Sequence, residues 1–439
     1  MKILSKRKEF QETLQRQRCF SLRFAHLSDI HLGFQKHEAL QKIEQDIFER
    51  AIDECVSRKV DFILIPGDLF HVNIPEMRVQ KFAFKKFREI YDAGIPVYVV
   101  YGSHDFSPVS NSVIDLLAEV GYITKVTRAT SLDDGRIKLD FLVDEKTGVK
   151  IAGLSGLKVG KDREYYEKLD RDSLELESGF KIFLFHGGIS EMKTDSGMDG
   201  ENMPLSLLPR NFDYYAGGHM HKFNSQKFDD YPRVVYPGAL FAGYHSDLED
   251  NAKGQKRGFV LVEFEDKIKN VEFVEIQNAQ YKIIEVNAEN RIAESVNKEL
   301  QDKIREIDVS QQVIIIKVQG EMTKGKTADV DISAIRDELN QKGALVVNIN
   351  KNQLTSKEYS ITEAKGSSKE EIENNVFSEN IGQLRFEQKN LIGESGVQLA
   401  KKLLAGLIQQ KLENEKTADY YLRIKENAFG IMGLDKDAS

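Results

Sequence analysis

Histidine is missing from the whole second part of this 439-residue chain. Nine are present, His26, His31, His37, His71, His104, His186, His219, His221 and His245, and residues 246–439 contain none. Side chains that titrate near neutrality are therefore confined to the first part. Cysteine is scarce: only Cys19 and Cys55 occur. Two cysteines build neither a disulfide framework nor a zinc knuckle, and the expected setting is a reduced, cytoplasmic one. No apolar run reaches the roughly 18–20 residues that span a bilayer, so no membrane segment is expected. A basic excess is also absent. Lys plus Arg total 62 against 70 Asp plus Glu, a formal charge of −8. That excludes a protein whose entire surface grips polyanions, but not a local basic groove. Met1 to Phe20 holds six basic and two acidic residues without an apolar stretch. This reads as a basic extension, residues 1–20, rather than a secretory signal.

What is present is an ordinary globular balance, 41% hydrophobic and 30% charged, over a length that suits two or three domains. From Ser21 the chain alternates short apolar runs with helical periods. Leu22–Leu27 reads as a strand. Glu38–Arg58 reads as a helix, from Leu40, Ile43, Ile47, Ala51, Ile52 and Cys55. Phe62–Ile65 is wholly apolar, as in a strand covered on both faces. Pro75 suits the first turn of a helix reaching Tyr91, and Val97–Tyr101 is the next strand. This β-α-β-α-β order predicts a mostly parallel sheet. Further strands are expected at Ile137–Val143, Val149–Leu154, Lys181–Phe185, Tyr214–Ala216, Val234–Tyr236, Phe259–Phe264 and Val271–Ile276, the later ones as a second, mainly antiparallel set. Lys146-Thr147-Gly148 is a hairpin candidate and Lys161–Leu169 a helix. Tyr281–Asn350 reads as a separate small α/β domain. Lys351–Asn375 is polar and reads as a linker, followed by amphipathic helices at Gln398–Glu413 and Ala418–Phe429.

Five apolar runs end in the same manner. They lead into Asp29-Ile30-His31, Gly67-Asp68, Gly102-Ser103-His104-Asp105, His186-Gly187 and Gly217-Gly218-His219-Met220-His221. Ligand sites in open α/β sheets form at the carboxyl ends of strands. Glycine beside the polar residue allows a sharp turn and close backbone approach. A lone histidine after a strand is usually a packing or capping residue. Asp29, His31, Asp68, His186, His219 and His221 taken jointly outweigh that reading. Carboxylates with imidazoles suit a divalent first-row ion such as manganese, iron or zinc. Asp68 is the natural bridge between two ions, which together clamp the attacking and leaving oxygens of a phosphate ester. His219 and His221, in a loop, can serve different ions. His26 lies within a strand and reads as core or as support for a ligand. His37 and His245 read as surface or loop residues. Asp105 reads as a partner orienting His104 or as a turn residue.

In these motifs the chain resembles the calcineurin-like metallophosphoesterases, whose pattern is Asp-x-His, Gly-Asp, Gly-Asn-His-Asp/Glu, His and Gly-His-x-His. Within them it resembles the SbcD / Mre-eleven type double-strand-break-repair nucleases. The closer likeness rests on Ser28 to Gly33, on Gly67-Asp68-Leu69-Phe70-His71, and on Tyr236-Pro237-Gly238 leading to Arg257-Gly258-Phe259-Val260. The motifs span residues 22 to about 265, and the domain order extends the likeness more weakly over the rest.

The resemblance implies an α/β fold: a two-sheet αββα metallophosphoesterase sandwich over residues 21–278, a small α/β capping domain over 279–352, a flexible linker over 353–376 and a C-terminal helix-loop-helix over 377–439. It implies two manganese ions per chain, one held by Asp29, His31, Asp68 and His221, the other by Asp68, His186, His219 and the residue at 103. His104 would act on the phosphate or leaving oxygen without binding metal, and His71 would contact the scissile strand and bias exonuclease action. The chain departs from the pattern at Ser103, where the family has Asn; a serine hydroxyl is a weaker and shorter-reaching ligand. The activity implied is that of a DNA exonuclease and endonuclease that processes DNA ends. The partner implied is an SbcC / Rad-fifty type ABC ATPase, bound through residues 377–439, where Leu399, Leu403, Leu404, Leu407, Ile408 and Leu412 form one apolar stripe and Tyr420, Tyr421, Ile424, Ala428, Phe429 and Met432 another. A homodimer is implied too, through helices around Pro75–Tyr91 and Ser110–Val120. Lys222, Arg233, Lys253, Lys256 and Arg257 are candidates for phosphate contact. Two other readings compete: a small-molecule phosphodiesterase, against which His71 and the C-terminal domains weigh, and a scaffold with weakened nuclease activity, favoured by Ser103 alone.

Overall fold

The computed structural model describes residues 21–105, 112–156, 162–192, 202–242, 244–276, 279–305, 307–357, 373–374, 376–378, 381, 388, 391–412 and 417–433. The basic extension 1–20 lies outside the described residues, as does most of the expected linker. The chain forms two units that divide between Tyr281 and Lys282.

The first unit contains two six-stranded sheets. One runs Ile268–Glu275, Gly258–Phe264, Leu22–His26, Phe62–Pro66, Val97–Val100, Thr124–Lys125. Its four strands from Leu22 onward are parallel, and the Gly258–Phe264 and Ile268–Glu275 strands join antiparallel at one side. The other runs Asn224–Phe228, Tyr231–Tyr236, Tyr214–Gly218, Lys181–His186, Lys150–Leu154, Leu142–Val143. The strands at Tyr231, Tyr214, Lys181 and Lys150 are mutually parallel; only the two outer strands are antiparallel. This corrects the expectation of a mainly antiparallel second set. Phe259–Phe264 and Val271–Ile276 belong with the first sheet instead. Periodicity reports that a strand is half-buried but not which neighbour it pairs with.

The alternation of side chains explains why these strands read as continuous apolar runs. Phe62 and Leu64 face Ile182, Leu184, Tyr214 and Ala216 in the core between the sheets, together with Phe24 and Phe264. Phe183, Phe185 and Tyr215 point to the opposite side of the second sheet and pack with Tyr166, Leu174, Leu208 and Phe212. The central strands, Phe62–Pro66, Lys181–His186 and Tyr214–Gly218 among them, are buried along their whole length, so neither of their faces can be polar. The Glu38–Ser57 and Met77–Asp92 helices meet through Phe48, Phe82 and Phe87. The second helix begins after Glu76, so Pro75 precedes it rather than occupying its first turn. The turn at Lys146-Thr147-Gly148 is present: Asp144 accepts from the Thr147 N–H at 2.7 Å, and Gly148 has φ 77°. Ile137–Val143 is two short strands, the first paired with Ala129–Ser131.

The second unit takes up the strand Tyr281–Asn287 from its second residue and holds the helix Ala293–Arg305, the strand Val313–Met322, the helix Ile332–Gln341 and the strand Val346–Asn350. Val296, Leu300, Ile304, Leu339, Ile314 and Ile316 fill its core. One strand of this unit was not foreseen, as Thr124–Lys125, Ala129–Ser131 and Asn224–Phe228 were not in the first. Leu354–Ser356 pairs parallel with Gly320–Met322, and Leu354 and Ser356 are buried. The segment from 353 therefore starts as sheet, not linker; its polar neighbours hid a three-residue strand. Gly393–Leu407 and Thr417–Met432 are helices that pack on each other, with Gly406 against Ile431. Among the described residues no helix is long and apolar enough to cross a membrane.

Candidate metal centre

Five strands of the two sheets end side by side. Register pairs Pro66 with Val100 in one sheet and Gly218 with His186 in the other. The loops that follow are tied together: the His31 N–H donates to the Asp68 carbonyl at 2.9 Å and the Leu32 N–H to the Leu69 carbonyl at 2.9 Å. Asp105 staples two more loops, accepting from the Phe70 N–H at 2.9 Å and the Gly102 N–H at 3.1 Å. It is thus a loop staple, and the His71 carbonyl, not Asp105, orients His104. Glycine is needed where the loops touch. A Cβ on Gly102 would collide with Asp68, and one on Gly67, whose φ is 90°, with Gly102 and His186. Asp29, His31, Asp68 and His219 all adopt positive φ, 49°, 49°, 50° and 94°. Such strain in non-glycine residues gathers where surrounding structure holds it for function.

These turns aim the side chains at one buried volume. Asp29, His31 and His221 form a group whose ligand atoms all lie within 4.8 Å of one another; Asp29, Asp68 and His186 form a second. Asp68 Oδ2 is 3.2 Å from His186 Nε2 and 3.8 Å from His31 Nε2. His31 Nε2 and His221 Nε2 are 3.3 Å apart. Asp29 takes part in both groups, while His219 stands beside them: its ring lies 5.3 Å from that of His186, and its N–H donates to Asp29 Oδ1 at 2.9 Å. Ser103 Oγ donates to Asp68 Oδ2 at 3.4 Å. His31, His71 and His104 make a third group at the mouth, with His71 stacked on His104 at 4.7 Å.

The tautomers decide whether these residues fit a metal. The Pro66 carbonyl can only accept, so His186 Nδ1 carries the proton in its 2.9 Å bond. In the neutral ring the Nε2 lone pair then faces the Asp68 carboxylate. That nitrogen is buried without a hydrogen-bond partner. A proton or a cation has to lie between them. His221 is arranged likewise, with Nδ1 bonded to Asp247 Oδ2 at 2.9 Å and Nε2 turned inward. A carboxylate behind an imidazole is the usual support for a ligating histidine. Electrostatics agree. Burial lowers the His186 pKa, but the charge of Asp68 outweighs it and holds the ring up at about 10. Burial lowers His31 to about 3 and His219 to about 4, so both stay neutral. Burial raises Asp29 above the usual carboxylate range. Without an ion, the Asp68 carboxylate thus keeps a proton on His186, beside neutral His31 and His219; a divalent cation can take the place of that proton, and carboxylates with imidazoles are a donor set that suits a first-row ion.

Asp247 and Tyr244 were missed by the sequence reading; neither lies in a strand-end motif. Arg257 corrects it. Its guanidinium is buried, bonding Asn251 Oδ1 at 2.6 Å, the His221 carbonyl at 2.6 Å and Asp247, so it supports the centre and is not free for phosphate. Lys222 and Lys256 are paired with Asp250 and Glu275. His26 is core, bonded to the Tyr214 hydroxyl at 2.9 Å; His37 is exposed and caps the first helix.

Residues 22–223 match the calcineurin-like phosphoesterase family, and the chain carries that metallophosphoesterase domain: it is a metal-dependent phosphodiesterase. More particularly, it is similar to proteins named DNA double-strand break repair protein Mre11. That of Sulfolobus acidocaldarius is 25% identical over 72% of this chain and 80% of the relative. That of Methanocaldococcus jannaschii is 27% identical over 63% and 72%. That of Sulfurisphaera tokodaii is 29% identical over 62% and 67%. A solved structure, a dimetal phosphatase from Danio rerio, aligns with 58% of this chain and 97% of its own at 13% identity and a TM-score of 0.35.

Proposed function

We propose that this chain is a two-manganese DNA nuclease, exonuclease and endonuclease, that processes DNA ends in double-strand-break repair. The observation that carries it is the pair of buried three-ligand groups with Asp68 Oδ2 set between His186 and His31, read with the likeness to Mre11 repair proteins.

Asp29, His31, Asp68 and His221 would hold one ion, and Asp68, His186, His219 and Ser103 the other. When bound, such a pair activates water and neutralises charge on a phosphodiester. The chain's own residues do the rest. Asp247 fixes His221, and the Pro66 carbonyl fixes His186. The His71 carbonyl fixes His104 through Nδ1, so that Nε2, beside the Tyr244 hydroxyl, is the nitrogen turned to the substrate. His71, stacked on His104, stands at the same mouth, where the scissile strand would pass.

The partner is an SbcC / Rad-fifty type ATPase, engaged by residues 377–439. Exposed Leu407, Tyr421 and Leu422 on the C-terminal helix pair, with Ile408 and Leu412 just past the end of the first helix, support that reading. Exposed Met77, Leu116 and Val120 support a homodimer contact in the expected segments. A scaffold with weakened nuclease is the second reading, because Ser103 spends its hydroxyl on Asp68. The test is digestion of linear and hairpin DNA by the full chain with and without manganese. Manganese-dependent cleavage of both is expected; hydrolysis of nucleotide esters alone, or of nothing, would reject the nuclease. Deleting residues 377–439 should abolish binding to the ATPase and leave this cleavage intact.

A further inference from the structure

Tyr244 stands at the lip of the metal centre. It precedes the His245–Ala252 helix, and its side chain is 40% exposed. Its N–H donates at 2.9 Å to Asp247 Oδ2, the same oxygen that bonds His221 Nδ1. Its ring stacks on His221 at 5.7 Å and meets Phe34 edge-on at 5.4 Å. One carboxylate therefore fixes both a ligand and this tyrosine. The Tyr244 hydroxyl lies 3.3 Å from His104 Nε2. Because His104 Nδ1 is committed to the His71 carbonyl, Nε2 is the nitrogen that a substrate meets.

We propose that Tyr244 is a further catalytic residue, whose hydroxyl donates a hydrogen bond to the phosphoryl oxygen contacted by His104. The inference rests on the phosphodiesterase reading of this site. An oxygen that replaces the Tyr244–His104 bond comes within reach of both groups, accepting from the Tyr244 hydroxyl and, when Nε2 carries a proton, from His104. A phenol is a donor at neutral pH. A fixed donor aimed where charge grows on the phosphoryl oxygens favours the transition state over the ground state. The proton stays on the phenol, and no bond to Tyr244 is made or broken.

Tyr244→Phe removes the hydroxyl and keeps the stacked ring. With the manganese-loaded full chain and duplex DNA, kcat should fall roughly 10²-fold, with KM and manganese affinity unchanged. A second arm uses inorganic phosphate as the probe, by calorimetry on the manganese-loaded protein, where the variant should bind about 3–10-fold more weakly. Should the wild type cleave no phosphodiester, the proposed function fails, and the phosphate arm alone decides the role of Tyr244. Unchanged turnover and phosphate affinity would overturn the inference. So would manganese affinity falling in step with turnover, which would make Tyr244 a support for His221.

Discussion

Oδ2 of Asp68 lies 3.2 Å from Nε2 of His186, across the seam between the two sheets. Asp68 follows a strand of the first sheet and His186 ends a strand of the second. Neither atom has a proton to share when His186 is neutral, because the ring proton is held by the Pro66 carbonyl. Asp68→Asn keeps the shape and removes the charge. It should bind at most one manganese ion and lose turnover by more than the roughly 10–100-fold that follows loss of a ligand's supporting partner. Calorimetry and a nuclease assay on the same preparation check this.

Asp247 is that kind of supporting partner. It bonds His221 Nδ1 at 2.9 Å and pairs with buried Arg257 at 3.3 Å. Asp247→Asn should weaken binding of the ion held by His221 by about 10–100-fold. It should also lower stability by about 1–3 kcal/mol, since Arg257 is left poorly paired in a buried position. Unchanged manganese affinity in a folded variant would count against the assignment of His221 as a ligand.

Ser103 Oγ donates to Asp68 Oδ2 at 3.4 Å, so its hydroxyl is turned to a carboxylate. An asparagine at 103 offers an amide oxygen with longer reach. Ser103→Asn should tighten the weaker of two manganese sites, seen as a titration whose second step moves to lower concentration. A second step that stays in place would show that position 103 is no ligand.

The strand-end motifs were legible because both faces of these strands are buried, so each apolar run stops abruptly at a polar turn. The grouping was less legible. Asp29 joins two ligand groups, and His31, His71 and His104 form a third; sequence spacing does not encode distances between loops. Asp247 was hidden because it sits in a polar helical segment, 26 residues from His221. Tyr244 is 140 residues from His104 and belongs to no repeating pattern. Arg257 was misread since a lone arginine reads as exposed, and only the fold reveals the three acceptors around it. The Gly258–Phe264 strand was recognised but placed in the wrong sheet, because its partner, Leu22–His26, lies at the other end of the domain.

Glu44 gives a pH dependence that does not involve a ligand. Its buried carboxylate accepts from the Gln35 N–H at 3.2 Å and from Gly33, bracing the turn after His31. Burial raises its pKa from 4.5 to about 7, only partly offset by those N–H groups. The folded state then binds more protons than the unfolded state between these values. Stability from the neutral form is full below about 4.5 and is lost as pH rises through about 7. Glu44→Gln stays neutral, so its Tm relative to wild type should rise between about pH 5 and pH 8. A constant difference across that range would contradict the shift.

Anomalous diffraction from manganese-soaked crystals of the full chain tests the central claim most directly. Two peaks are predicted, on either side of the Asp68 carboxylate, one against His31 and His221 and the other against His186. A single peak at saturating manganese, or peaks away from Asp68, would contradict a two-ion phosphodiesterase centre.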